Sequence, residues 1–111
     1  GQWGPSGKVA VLQKADRSIY TLKENRVESL GIKASAFIFS SENEAYFLQG
    51  SSLTMVNFDT LAQINYAEIS GLSQAKSFVV AQENIYFLDD QGIKSAKLQR
   101  GVYGETQEQT N

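Results

Sequence analysis

The chain reads as an all-β protein built from antiparallel β-meander repeats. Three observations predict this. Ten short segments rich in apolar, β-branched and aromatic residues are separated by turn-forming residues. A Tyr-x-Leu phrase recurs at Tyr20/Leu22, Tyr46/Leu48 and Tyr86/Leu88. Helical periodicity is sparse, confined to Asp59–Ile69, which fits a strand equally well, and to one turn at Leu72–Ala75.

The elements follow in order. Residues 1–7 are rich in Gly, Pro and Ser and read as an irregular lead-in. The domain proper spans 8–98. Lys8–Leu12 is a compact apolar run, and Ser18–Lys23 carries Ile, Tyr and Thr. Arg26–Ile32 follows a Glu24-Asn25 turn. Ala36–Ser40 is apolar throughout, as a strand buried on both faces would be. Glu44–Gln49 and Leu53–Phe58 flank a Gly50-Ser51-Ser52 turn, and Gln63–Ile69 alternates. Lys76–Ala81, Asn84–Asp89 and Gly92–Leu98 complete the set, and a polar tail occupies 99–111.

In each repeat an apolar strand precedes the Tyr-x-Leu strand, and a turn and a third strand follow it. The intervals between tyrosines are 26 and 40 residues (46 − 20 and 86 − 46). Tyr and Leu two positions apart share one face of a strand, while Phe47 and Phe87 take the other. Two apolar faces on one strand predict a sheet covered on both sides by its neighbours.

The fullest unit is Ala36–Ile69: an apolar strand, a Tyr-containing strand, a small-residue turn, a strand running into Asp59-Thr60, and an outer strand. It resembles a four-stranded β-propeller blade of the YVTN or quinoprotein-like type. The resemblance covers about Lys8–Leu98 and implies propeller-like blades. Its limits are visible in the numbers. The first interval is shorter than the roughly 40 residues of such a blade, so the first unit is expected to lack its outer strand. A closed ring typically needs about 4–8 blades, and the chain holds at most three. A small β-sandwich or barrel is the alternative architecture.

Composition narrows function. Ten basic and 12 acidic residues give a formal net charge of −2, so no basic excess points to nucleic acid. No apolar run approaches the roughly 18 residues of a membrane-spanning helix. Histidine and cysteine are both absent, which removes the commonest general base, the usual triad member and thiolate metal sites. A chain without cysteine fits either redox compartment and leans towards an extracytoplasmic one.

Candidate sites are weighed against plainer roles. Asp89-Asp90-Gln91-Gly92 supplies two carboxylates, but a calcium loop needs oxygen ligands at several alternating positions, and the pattern matches a β-turn. Glu42 and Glu44 sit in another turn with no cleft evident. Lys94, Lys97 and Arg100 read as charges guarding an exposed edge. The repeated aromatics read as glue between sheets, or else as a carbohydrate-stacking surface. Trp3, the only tryptophan, is either a plug on a neighbouring strand or an exposed contact.

No catalytic, cofactor or metal residues are expected. Contacts with a partner or ligand are expected at Trp3, Tyr103, Lys94 and Lys97. The expected function is a non-catalytic protein-interaction or self-assembly module, because an unfinished stack leaves an apolar face or strand edge to be covered. The alternative is a carbohydrate-type ligand-binding module of a surface protein.

Overall fold

The computed structural model describes residues 2–100 of the chain. Eleven strands form three antiparallel sheets. Sheet 1 holds β1 (Gln2–Trp3), β2 (Val9–Gln13), β3 (Ser18–Lys23) and β4 (Arg26–Lys33) in that order. Sheet 2 holds β5 (Ala36–Ser41), β6 (Glu44–Gln49), β7 (Ser52–Asn57) and β8 (Gln63–Asn65). Sheet 3 holds β9 (Ser77–Ala81), β10 (Asn84–Asp89) and β11 (Gly92–Lys97). A 3₁₀ turn at Leu72–Gln74 leads into β9. The class is all-β and antiparallel, as predicted, and the sheets do not close into a barrel.

Tight turns set the hairpins. Glu24 and Asn25, and again Gln82 and Glu83, all have positive φ, which matches the right-handed twist of the flanking strands. Gly50 (φ 59°) opens the β6–β7 turn in a conformation that costs glycine least.

The repeat holds at the level of register. The tyrosine of each unit lies between a first-strand and a third-strand partner: Leu12 and Ser29 for Tyr20, Ile38 and Met55 for Tyr46, Val79 and Ser95 for Tyr86. Each sheet therefore has a tyrosine side and a reverse side with fixed membership.

The sheets stack in two different ways. Sheets 1 and 2 meet through their reverse sides, with Val9, Val11 and Ile19 in one core with Ala45, Phe47 and Val56. Phe37 stacks on Phe47 with ring centroids 5.6 Å apart, and Phe39 packs on Phe58 at 5.8 Å. Sheets 2 and 3 meet through unlike sides. Leu48, Leu53, Ile38 and Tyr46 of sheet 2 pack against Phe78, Ile85 and Phe87 of sheet 3. Burying such side chains stabilises by about 1.5–3 kcal/mol each. Lys23 ties the first interface at its rim, with its Nζ 2.8 Å from the Asp59 carboxylate.

Three expectations change. Gln2–Trp3 is not irregular but pairs with Val11 and Ala10, because the Gly4–Gly7 turn returns the chain to β2. The fourth strand of sheet 1 thus lies before β2, and among the described residues none pairs beyond β4. The outer strand of sheet 2 stops at Asn65. Tyr66 N–H still donates to the Leu53 carbonyl of β7 at 2.9 Å, but Tyr66 also bridges to Arg100 and Ala67 N–H donates to the Gln99 carbonyl, so backbone pairing continues past Leu98. Finally, among the described residues only sheet 2 is covered on both sides by other sheets, and sheets 1 and 3 lie at the ends of the stack.

Candidate functional site

The end of the stack at sheet 3 exposes its tyrosine side. Ser77 and Val79 of β9, Tyr86 and Leu88 of β10, and Ile93 and Ser95 of β11 share it, by the alternation of strand side chains. Leu88 is 43% exposed and Ile93 78%, whereas Leu48, at the same repeat position as Leu88, is 3% exposed. Val79 and Tyr86 are exposed as well. Together with Ser77 they line an open depression of ≈ 210 Å³. The six positions carry no charge. Scattered exposed apolar residues are ordinary, but a contiguous group on one sheet face is not.

Charges sit at the rim. Lys97 closes one end of β11, on the same side of the sheet, opposite Asn84. Lys76 and Asp90 pair at the other end, 2.5 Å apart. Among the described residues β11 has no strand on its outer edge, where Lys97 is placed to guard it.

Lys94 does not face the exposed side. Its Nζ donates to Asp89 Oδ2 at 2.8 Å and to Gln91 Oε1 at 3.3 Å. The Asp89 side chain is only 6% exposed, and the Gln91 backbone N–H donates to Oδ1 at 2.7 Å. The Lys94 hydrogen bond, then that N–H, hold the Asp89 carboxyl below its ordinary value. The lysine ammonium is thus the counter-ion of this turn. Among the described residues no group of three or more His, Cys, Asp or Glu could hold a metal ion.

Trp3 lies on β1 of sheet 1, and it is 57% exposed, not a buried plug. Tyr103 lies outside the described residues. The three expected contacts among the described residues do not converge: of Trp3, Lys94 and Lys97, Lys97 alone borders the apolar face. The repeated tyrosines do not share a surface either. Tyr20 is on the outer side of sheet 1 beneath the Lys14 ammonium, 5.7 Å from its ring centroid. Tyr46 lies between sheets 2 and 3, and Tyr86 is on the outer side of sheet 3.

A second concavity lies between sheets 2 and 3. Tyr46, Tyr66, Glu83, Leu98 and Arg100 line a polar cleft of ≈ 300 Å³. The two tyrosine rings are 6.3 Å apart and tilted by 39°. Burial, and next the Tyr66 phenol, push the Tyr46 hydroxyl above its ordinary value.

Sequence reasoning missed Val79, Leu88 and Ile93 as a surface. The apolar Tyr-Phe-Leu is identical at 46–48 and 86–88, and the position of a unit in the stack decides whether its leucine is covered. Compared with family models, with curated proteins and with solved structures, the chain matches none.

Proposed function

We propose that the chain is a non-catalytic interaction module that docks a protein partner or another copy through the tyrosine side of sheet 3. The observation that carries this reading is the contrast between Leu48 and Leu88. The same repeat position is sealed by sheet 3 in one unit and left 43% exposed in the next. A neutral apolar face whose rim carries Lys97 at one end and the Lys76–Asp90 pair at the other suits protein rather than nucleic acid, as does the net charge of −2. Units 2 and 3 stack as neighbouring propeller-type blades would, through unlike sides; the like-sided contact of sheets 1 and 2 departs from that plan.

The test is binding of the hydrophobic dye ANS to the folded chain. Ile93→Lys, at an exposed position, should keep the far-UV circular dichroism and remove most of the dye signal. A native chain that gives no dye signal would sink the proposal.

The cleft at Tyr46 and Tyr66 favours a second reading, a ligand-binding module of a secreted or surface protein. Two phenols, a carboxylate and a guanidinium around a polar hollow suit a polyhydroxylated ligand such as a saccharide. Calorimetric titration with a panel of mono- and disaccharides tests it. Heat that disappears in Tyr66→Ala supports this reading, and silence across the panel removes it.

A further inference from the structure

We propose that the exposed side of sheet 3 closes on the same side of a second copy, forming a twofold dimer; this rests on the interaction-module reading above. The first argument is an inventory of faces. The reverse sides of all three sheets are consumed within the chain: Val11 and Ile19 of sheet 1, Phe47 of sheet 2, and Ile85 and Phe87 of sheet 3 are each at most 3% exposed. Among the described residues, the sheet faces left for a second copy to offer are therefore tyrosine sides, that of sheet 3 or that of sheet 1. Stacking like on like is already how sheets 1 and 2 meet in this chain.

Charge selects between the two. The outer side of sheet 1 carries the Lys14 ammonium over Tyr20, which docking would strip of water. The corresponding side of sheet 3 has no charge at its six central positions, so self-apposition sets no like charges together there.

Charge also sets the orientation. Lys97 and Asp90 lie at opposite ends of β11. A twofold axis running across the strands brings Lys97 of one copy to the neutral Lys76–Asp90 pair of the other, whose carboxylate it can share, whereas an axis along the strands would bring the Lys97 ends together with no carboxylate between them. Across the strands, the axis also matches large to small side chains. Centred near Phe87, it sets Tyr86 over the second copy's Leu88, Val79 over its Ser77, and Ile93 over its Ser95.

Size sets the strength. Three strands about 4.8 Å apart and six residues long span a footprint of roughly 300 Å² per copy. A standard interface buries about 800 Å² per partner, so this dimer belongs to the weak, reversible class. It should be monomeric at about 1 μM and associate progressively towards about 1 mM.

Sedimentation velocity of the full 111-residue chain over that range decides the matter. The wild type should shift from monomer to dimer with concentration. Ile93→Lys and Ser95→Lys should each remain monomeric with unchanged circular dichroism. Val27→Lys, on the outer side of sheet 1 at a position 60% exposed, should dimerise like wild type. A head-to-tail contact of sheet 1 on sheet 3 would be broken by Val27→Lys, and that result overturns the twofold dimer. So does a dimer indifferent to Ile93→Lys. A wild type that stays monomeric yet binds ANS in an Ile93-dependent way overturns the second copy alone. One that neither associates nor binds the dye overturns the interaction reading as well.

Discussion

Phe58 and Leu98 stand forty residues apart (98 − 58) and make the same backbone hydrogen bond. Phe58 N–H donates to the Asn43 carbonyl at 2.7 Å, and Leu98 N–H to the Glu83 carbonyl at 2.8 Å. Asn43 and Glu83 are themselves forty apart (83 − 43), and both apolar side chains are buried. Units 2 and 3 are therefore equivalent past their third strands, to the point where Asp59 turns to Lys23 and Gln99 turns to Ala67. What differs between them is what lies on top.

That difference predicts unequal costs at equal positions. Leu48→Ala removes a side chain sealed between sheets and should cost about 2–5 kcal/mol. Leu88→Ala, at the open end, should cost less than about 1 kcal/mol. Urea unfolding of the two variants, read by far-UV circular dichroism, gives the comparison, and equal losses would contradict the stacking order.

Phe47 is fully buried and touches Phe37 and Phe58, with ring centroids 5.6 and 6.5 Å away. Truncation to alanine should cost about 3–5 kcal/mol, a large share of the roughly 5–15 kcal/mol typical of a folded domain. Phe47→Leu keeps most of the volume and should retain cooperative unfolding. The midpoints of chemical denaturation should therefore fall in the order wild type, Phe47→Leu, Phe47→Ala.

Asp89 couples stability to pH with a definite sign. Its folded carboxyl is held below the ordinary 3.8 by Lys94 and the Gln91 N–H. The stabilisation is therefore complete above the unfolded value and is lost as pH falls through the folded one. In Asp89→Asn the difference from wild type should be constant near neutral pH, narrow below about pH 4 and close at still lower pH. A gap that persists in strong acid would mean that the ion pair is not its source.

Glu24 and Asn25 both occupy positive φ, at 52° and 63°. Left-handed backbone costs an ordinary L-residue roughly 1–2 kcal/mol, and Asn and Gly least. Replacing the pair with Asn-Gly should raise stability by about 1 kcal/mol without moving the β3–β4 register. Thermal melting should show a higher midpoint, and unchanged amide exchange in β3 would verify the register.

Much of the fold was legible in the chain. All ten predicted strands are present, because turn residues and β-branched runs act locally. Gln2–Trp3 escaped notice because two residues carry no periodicity, and their pairing depends on the return at Gly4–Gly7. Alternation predicts a strand through Tyr66–Ile69, yet after Tyr66 N–H donates to Leu53 the segment divides its partners between Ser51 on one side and Gln99 and Arg100 on the other, a non-local choice. The candidate site was the least legible part. Lys97 was found at its border, but Val79, Leu88 and Ile93 have the composition of buried residues. Their exposure follows from stacking order, which is a property of the whole chain.

The like-sided contact between sheets 1 and 2 has a consequence for valence. A stack built only from unlike contacts would have two chemically distinct ends, as a screw has a head and a tip. One inverted contact makes both ends present a tyrosine side, so the protein is quasi-palindromic along its stacking direction. The ends then differ only in dressing: Lys14, Trp3 and Val27 at one, Val79, Leu88 and Ile93 at the other. Under the proposed sheet 3 dimer, stripping the first end of its charges, Lys14 above all, would give a molecule with two self-complementary ends instead of one, and hence a route from closed pairs to open fibres.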